Sequence, residues 1–450
     1  MTPFEIAKEL LKDIEALGYK AYIVGGTPRD ILMGIEPEDI DIATNCPIEI
    51  LDKAFETYDI GKSRDFGIVA LVYKGERYEV AQFRTESDYD GFRPGKVEIV
   101  SDLLSDVNRR DFTINALAMD KDGNIIDATG KGQRDIVYKI IRAVGDPVER
   151  FTEDYVRMVR AARFGSMEGF TIERYTQEAI QSMSNLVTKI TPERIRLELI
   201  KAAKKPGPQF AKFILLLDKL NLLEQLLPEI SVMKELKHDE KHHPEGPTVF
   251  HHIIKCLEIM GDMPYLSKLA ALFHDVGKLY SADYTVRPGK VVYHRHAETG
   301  VEPVLNILKR FKFSDYEIEC IIYAVEHHMQ FHDILDMKPS KIARLINHIG
   351  FNTLRDVGWA DEYSRGEKFS HYGEFERKIE KIEQIKKRWE GRVINNTISL
   401  VDGKLIMSLL NIKPGPEVGK IKREIEEHII DNSLEPTDEL IKELILKYKE

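Results

Sequence analysis

The hydrophobic pattern of the chain changes period once, and that change limits the folds open to it. From about Lys20 to Ile126 the apolar residues come in short β-rich runs, Ala21–Val24, Ile40–Ile42, Gly67–Tyr73 and Arg77–Phe83, broken by Gly, Pro and Asp. Between them the pattern predicts helices over Pro28–Met33 and Pro47–Tyr58. After Arg142 the period is almost wholly helical. Thr191-Pro192-Glu193 offers a capping hydroxyl, a first-position proline and a first-turn acid, and Lys204-Lys-Pro-Gly-Pro208 separates two helices. A histidine-rich helical stretch runs from about His238 to Tyr363, followed by a Lys/Glu-rich helix, about Phe375 to Trp389, and a tail from Thr397. At 450 residues the chain exceeds a single ordinary core. The expected fold is multidomain α/β plus all-α, with a mixed-sheet head at 1–140, a helical neck and body at 141–235, an all-α domain at 236–370 and a helical tail at 371–450.

Composition removes several classes. Hydrophobic residues make up 43% and charged residues 31%, which is the balance of a folded chain. No apolar run reaches the roughly 18 residues of a membrane span, and Met1–Leu17 reads as an acidic amphipathic helix without the features of a signal peptide. Cys46, Cys256 and Cys320 stand far apart, a spacing that excludes a disulfide framework or a thiolate zinc site and makes a reducing cytoplasm the expected compartment. The net charge of −10 disfavours a protein that simply coats polyanions, while leaving room for local basic faces.

In the head, Glu38-Asp-Ile-Asp-Ile42 places Asp39 and Asp41 two apart, a spacing that puts both carboxylates on one face of a strand. Two hard oxygen donors suit Mg²⁺; a solvated strand edge is the plain alternative. Upstream, Val24-Gly-Gly-Thr-Pro-Arg-Asp30 reads as a strand, paired glycines and a helix start, where Gly25 and Gly26 would let backbone amides approach a phosphate or simply make a tight turn.

In combination these motifs carry more. Gly-Gly-x-x-Arg-Asp, then Asp39-x-Asp41 nine residues after Asp30, then Arg109-Arg110-Asp111-Phe-Thr-Ile-Asn115, resemble the head of the class II tRNA nucleotidyltransferases. These are the CCA-adding enzymes, which have polymerase-β-like heads and share their class with bacterial poly(A) polymerases. The similarity continues through Gly145-Asp-Pro147, Arg150-Phe-Thr-Glu-Asp154-x-x-Arg157-x-x-Arg160, Glu193-Arg-Ile-Arg-Leu-Glu198, Gly403-Lys-Leu405 and Pro414-Gly-Pro416-x-x-Gly419. The resemblance implies that Asp39 and Asp41 are catalytic and hold Mg²⁺, with Glu79 as a candidate third acid. It also implies that Gly25, Gly26, Arg29, Arg110, Asp111, Arg160 and Arg163 bind nucleotide, with Asp111 accepting from the ribose 2′-OH. Two features depart from the family pattern: Pro28 replaces an aliphatic residue, and the loop Thr85–Pro94 keeps Tyr89, Arg93 and Pro94 at altered intervals.

Asp154 and Arg157 are three apart, neighbours on one face of a helix and, on that spacing alone, a surface ion pair. Under the resemblance they take the place of a template. A carboxylate accepts from an exocyclic amine while a guanidinium donates to the adjacent ring nitrogen. Cytosine and adenine present that edge, and uracil and guanine do not. Arg194, Arg196, Lys201, Lys204 and Lys205 make the next helix basic, either as a solvated face or as a track for acceptor-stem phosphates.

In the second half, His252, His274-Asp275-Val-Gly-Lys278 and Asp361 resemble the ligand set of the HD metal-dependent phosphohydrolases, and His243-Pro-Glu-Gly246 resembles HD-bearing CCA enzymes. The implied metal is Mn, Ni, Co, Fe or Zn, with His296 and either His328 or His327 as further ligands for a second ion. His238, His242, His332 and His348 read as core or surface histidines. The implied activity is template-independent addition of CCA to tRNA from CTP and ATP, with a phosphatase or 2′,3′-cyclic phosphodiesterase in the HD domain. A CC-only or A-only enzyme, a poly(A) polymerase, or a metallophosphohydrolase with an RNA-binding head are the alternatives. No membrane association is expected, and the sequence names no protein partner.

Overall fold

The computed structural model describes residues 1–37, 39–61, 63–87, 89, 95–238, 246–281, 284–287, 290–366, 373–389, 393–394, 397–398 and 400–449. Glu38, Arg93, Pro94, His242 and the His243–Glu245 motif lie outside the described residues. The chain divides into two compact units, residues 1–202 with 212–228, and residues 203–211 with 229–450.

The first unit opens with α1 (Pro3–Ala16), capped by the Thr2 hydroxyl and started by a proline that fits the first turn. A seven-stranded mixed sheet follows, formed by β1 (Ala21–Val24), β2 (Asp41–Thr44), β3 (Glu56–Tyr58), β4 (Ile68–Tyr73), β5 (Glu76–Gln82), β8 (Leu117–Met119) and β9 (Ile125–Asp127) in the order β3-β4-β5-β2-β1-β8-β9. The pair β6 (Arg84–Ser87) and β7 (Lys96–Ile99) makes a separate hairpin. Only β2 and β5 run parallel within the described sheet, with Asp41 opposite Glu79 and Ile42 opposite Val80. Leu10, Leu11 and Ile14 of α1 pack with Ile23, Ile42, Val69, Leu71 and Val80. Because strand side chains alternate, a face that buries Ile42 and Val80 turns Asp41 and Glu79 to the other side.

Short helices α2 (Gly26–Leu32), α3 (Ile48–Ala54), α4 (Leu103–Asn108) and α5 (Gly132–Val137) complete the head. The helix expected over Pro47–Tyr58 stops at Ala54: Phe55 turns extended, and Glu56–Tyr58 adds a β-strand to the sheet edge. Backbone groups at an open edge gain ladder partners there, which outweighs a weak helical preference. Along the chain follow α6 (Pro147–Glu153), α7 (Val156–Gly165), α8 (Arg174–Met183), α9 (Pro192–Ala203) and α10 (Gly207–Lys219), then the short α11 (Leu223–Leu226) and α12 (Pro228–Val232).

In the second unit, α13 (Val249–Ile259), α14 (Tyr265–Phe273), α15 (His296–Arg310), α16 (Asp315–His332), α17 (Pro339–Ile346), α18 (Phe351–Ser364) and α19 (Glu374–Arg388) lead to α20 (Gly403–Leu410), α21 (Pro416–Asp431) and α22 (Asp438–Leu446). A full capping box, Ser314 with Glu317, starts α16. No helix among the described residues is long and apolar enough to cross a membrane.

Candidate active sites

The head site forms where β1 gives way to α2. Gly25 caps α2 at a φ of 77°, and a Cβ there would stand 2.9 Å from Asp41 Oδ2. Both the backbone conformation and the close approach require glycine. Strand β2 begins at Asp41, so Asp39 lies just ahead of it, held through its carbonyl, which accepts from the Thr27 hydroxyl at 2.8 Å. The two acids therefore do not share a strand. Desolvation and then Glu79 push the Asp41 carboxyl above the ordinary carboxylate value; Arg110 pulls it back and Asp39 adds to the push. Glu79 and Asp39 thus both press negative charge on Asp41 while Arg110 offsets it, a setting that suits a divalent cation with a preference for oxygen.

A second layer of charge joins the head to the helices behind it. Arg29 donates to Asp30 and, at 2.6 Å, to Asn115 Oδ1, and Asn115 donates to Asp111. Asp111 also accepts from its neighbour's backbone amide and from Arg160 at 2.7 Å and 2.6 Å. Burial alone would push the Asp111 carboxyl up, but Arg160 and Asn115 win and hold it down at about 2. Four N–H groups fill its lone pairs, so a ribose hydroxyl reaches Asp111 only by displacing one of them. Arg163 donates to Glu198 at 2.5 Å, and Glu198 also faces Arg160. The ring of Phe164 carries Arg163, Arg29 and Arg160 at 4.2, 5.2 and 5.3 Å from its centroid. Arg109 and Arg110 share the fully buried Asp106, and Arg109 reaches Glu86 on the β6 hairpin.

Asp154 and Arg157 do not occupy one helix. The chain leaves α6 at Asp154 in an extended conformation, and α7 begins at Val156. Asp154 Oδ1 accepts from the Val156 amide at 3.1 Å and Oδ2 from Arg194 on α9 at 2.5 Å. Arg157 is buried and donates to the carbonyls of Arg150 and Arg109, at 3.0 and 2.8 Å. The i,i+3 ion pair expected from spacing is replaced by two separately anchored groups, because a side-chain cap at a helix junction outcompetes a solvent-exposed pair.

The second site is a buried cluster in the HD-like unit. His252 on α13, His274 and Asp275 after α14, His296 at the start of α15, His328 on α16 and Asp361 on α18 all meet there. His252 Nε2 lies 3.2 Å from Asp361, His274 and His296 Nε2 each 3.4 Å from Asp275, and the Nε2 atoms of His296 and His328 are 3.0 Å apart. A Cβ on Gly277 would meet the His296 carbonyl at 1.8 Å, so only glycine lets the turn Val276–Tyr280 pack against α15 and bring His296 to Asp275.

Each imidazole is oriented from behind. Nδ1 of His274, His296 and His328 bonds to the carbonyl three residues earlier, Ala271, Tyr293 and Val325. His252 Nδ1 faces the Ser364 hydroxyl, which itself donates to the Asp361 carbonyl. Such bonds fix Nδ1–H and turn the Nε2 lone pairs inward. Burial lowers the pKa of His274, His296 and His328. Burial would raise Asp275 and Asp361, but their cationic and imidazole neighbours hold both well below the usual range. Neutral imidazoles beside ionised carboxylates are the protonation states a metal needs. His274 Nε2, 1% exposed, makes no hydrogen bond. The donor set fits a divalent metal, with one candidate group of Asp275, His296 and His328 and another around His252 and His274.

Sequence spacing passes over several members. His332 Nε2 donates to Asp361 at 2.7 Å, and its position one turn after His328 was the available signal. His238, 5% exposed, meets Lys278 at 2.8 Å, and Lys278 reaches Asp275 at 2.6 Å. Neither histidine is the bystander that its isolation in the sequence suggests. His327 points away from the cluster and packs on Tyr323, as does His348, which leaves His328 as the inward residue.

Three family models match in order: the poly A polymerase head domain over residues 21–142, the probable RNA and SrmB-binding site of polymerase A over 169–233, and the HD domain over 248–388. Fold and site thus define a nucleotidyltransferase head of the poly(A) polymerase class on a chain that also carries an HD domain. The chain is 48% identical over 210 residues to a CCA-adding enzyme of Lactobacillus johnsonii, covering 46% of this chain and 52% of that protein. To a CCA-adding enzyme of Bacillus pumilus it is 44% identical over 226 residues, covering 50% and 55%. The chain spans about half the length of the curated relatives it matches. The crystal structure of the Bacillus stearothermophilus CCA-adding enzyme in complex with CTP superposes with a TM-score of 0.71 at 25% identity, covering 100% of this chain and 98% of that one. The chain is thus similar to CCA-adding enzymes over its first half and in its fold, and it carries the poly A polymerase head, RNA-binding and HD models in that order.

Proposed function

We propose that this protein adds C, C and A to the 3′ end of trimmed tRNA from CTP and ATP, without a template. The register that sets Glu79 opposite Asp41 on adjacent parallel strands, with Asp39 and Arg110 acting on the same carboxyl, carries the reading. Mg²⁺ held by these carboxylates would lower the pKa of the tRNA 3′-hydroxyl and neutralise charge on the triphosphate. The chain's own groups do the rest. Arg110, Arg29, Arg160 and Arg163 meet phosphates, with Gly25 and Gly26 giving the backbone room. Asp154 accepts from the exocyclic amine of C or A, and Arg157 donates to the ring nitrogen beside it. Asp111 meets the ribose 2′-OH once Arg160 turns to the nucleotide. Arg194, Arg196, Lys201, Lys204 and Lys205 follow the acceptor-stem phosphates. The working division is head 1–140, neck and body 141–235, HD domain 236–370 and tail 371–450, in the cytoplasm.

The HD centre, with His252, His274, Asp275 and Asp361 on one transition metal and His296 and His328 toward a second, hydrolyses phosphate monoesters or 2′,3′-cyclic phosphates at tRNA 3′ ends. The mixed nitrogen–oxygen donor set supports Mn, Ni, Co, Fe or Zn over Mg²⁺. The test is a tRNA trimmed to its discriminator base, offered each nucleotide singly and in pairs, with products sequenced. CCA ends are expected; long A tails on generic RNA, or addition of one base type alone, would overturn the assignment.

A further inference from the structure

Three arginines meet over one aromatic ring in the first unit. Phe164 stands in the last turn of α7, 6% exposed, with the guanidinium carbons of Arg163, Arg29 and Arg160 at 4.2, 5.2 and 5.3 Å from its centroid. Like charges this close repel, and each guanidinium has a carboxylate to offset that: Asp30 for Arg29, Asp111 for Arg160 and Glu198 for Arg163. Ion pairing cannot be the whole anchor for a group that must also take a ligand. The N–H groups that hold a carboxylate are the ones a phosphate needs.

An aromatic face holds a cation in another way. Its quadrupole attracts the charge and takes none of the guanidinium's N–H donors. An arginine resting on Phe164 can therefore exchange Asp111 or Glu198 for a phosphate and keep the attraction of the ring. Arg163 depends on this most: burial lowers its pKa against the pull of Glu198, and it is the guanidinium nearest to the ring. The ring in turn is held from behind. Phe112, fully buried, meets it edge to face at 5.8 Å with 73° between the planes, and the Phe112 amide donates to Asp111.

We propose that Phe164 is a positioning residue for the incoming nucleotide: its ring keeps Arg29, Arg160 and Arg163 in one layer while their carboxylate partners give way to the triphosphate. This rests on those arginines meeting the triphosphate, as the proposed function has it. A triphosphate carries no base identity, so Phe164 sets the affinity for CTP and ATP alike and leaves base choice to other residues.

The test keeps the full chain and changes the charge distribution of the ring at nearly constant shape. Phenylalanine analogues with one, two and three ring fluorines at position 164 withdraw electron density from the face and weaken its hold on cations stepwise. On trimmed tRNA, KM for CTP and for ATP should climb with each fluorine, by about tenfold over the series, while kcat and the preference for C over U stay unchanged. Phe164→Leu, which keeps apolar bulk without an aromatic face, should raise KM at least as far as the trifluorinated ring. A flat KM across the fluorinated rings, or a change in kcat alone, would overturn the positioning role. Arg163→Gln separates that failure from a failure of the reading beneath it. Its KM should rise for both nucleotides, and a wild-type KM there removes Arg163 from the triphosphate and overturns both. The fluorinated rings decide the matter even if Phe164→Leu does not fold.

Discussion

Replacing Asp154 with Asn tests base recognition at little structural cost. The amide keeps an oxygen where Oδ1 accepts from the Val156 amide at 3.1 Å, so the start of α7 stays capped. What disappears is the charge, and with it the ion pair to Arg194 at 2.5 Å and, under the proposed function, the charged acceptor for an exocyclic amine. A hydrogen bond to a charged group is worth about 1.5–3 kcal/mol and a neutral one about 0.5–1.5. The difference, about 1–2 kcal/mol, corresponds to roughly a 5- to 30-fold loss in relative kcat/KM for CTP over UTP, and for ATP over GTP. Single-turnover addition to trimmed tRNA with each nucleotide in turn measures it, with the denaturation midpoint as the control for folding. Equal loss for all four nucleotides would make Asp154 a structural cap, and unchanged discrimination would remove it from recognition altogether.

Asp41→Ala should abolish addition while tRNA and CTP still bind, because the lost ligand supplies several kcal/mol only as charge develops. Glu79→Gln should cost less, about 1–2 kcal/mol in single-turnover rate; wild-type rates would place Glu79 outside the metal group. His274→Ala should remove the bound transition metal, read by elemental analysis, and erase phosphohydrolysis with CCA addition nearly unchanged; metal retained in full refutes its role as ligand. Asp111, held at about 2 against an ordinary 3.8, contributes stability that is present above about pH 4 and lost as pH falls towards 2. Asp111→Asn should therefore be less stable than wild type by about 2 kcal/mol at neutral pH, with the gap closing below pH 4 in denaturant titrations. A gap that stays constant over that range would show that the Arg160 pairing is not the source.

The central strands were legible because short apolar runs and glycines encode local geometry, whereas the Asp-x-Asp spacing put both acids on one strand and β2 begins only at Asp41. Residues 55–58 were not, since Phe55 and Tyr58 continue a helical period until a neighbouring strand claims their backbone. Asp154 misled for a similar reason: three-residue spacing is meaningful only inside one helix, and the junction after α6 falls on that residue. The histidine–aspartate cluster was expected from its resemblance to a known set, whereas Ser364 joins it by tertiary packing that no single-chain periodicity records; His332, one turn after His328, and Lys278, three residues after Asp275, had only helical spacing to mark them. Glu79 lay between, a strand-face acid whose meaning depended on the parallel register that sets it opposite Asp41.

That register has a mechanical consequence. Strand β2 is the middle of seven, and Asp41 and Glu79 sit on it and on its immediate neighbour. Shear between two adjacent inner strands breaks ladder bonds on both sides at once, so the acids form a fixed anvil. Under the proposed function two different bases are treated in succession, and such a point cannot be retuned between them. Any changeover from C to A has to be worked by parts that hang off the sheet: the β6–β7 hairpin tied through Glu86 to Arg109, and the helix junction at Asp154. Alleles that alter where addition stops should accumulate in those parts, while the strands beneath tolerate almost no change.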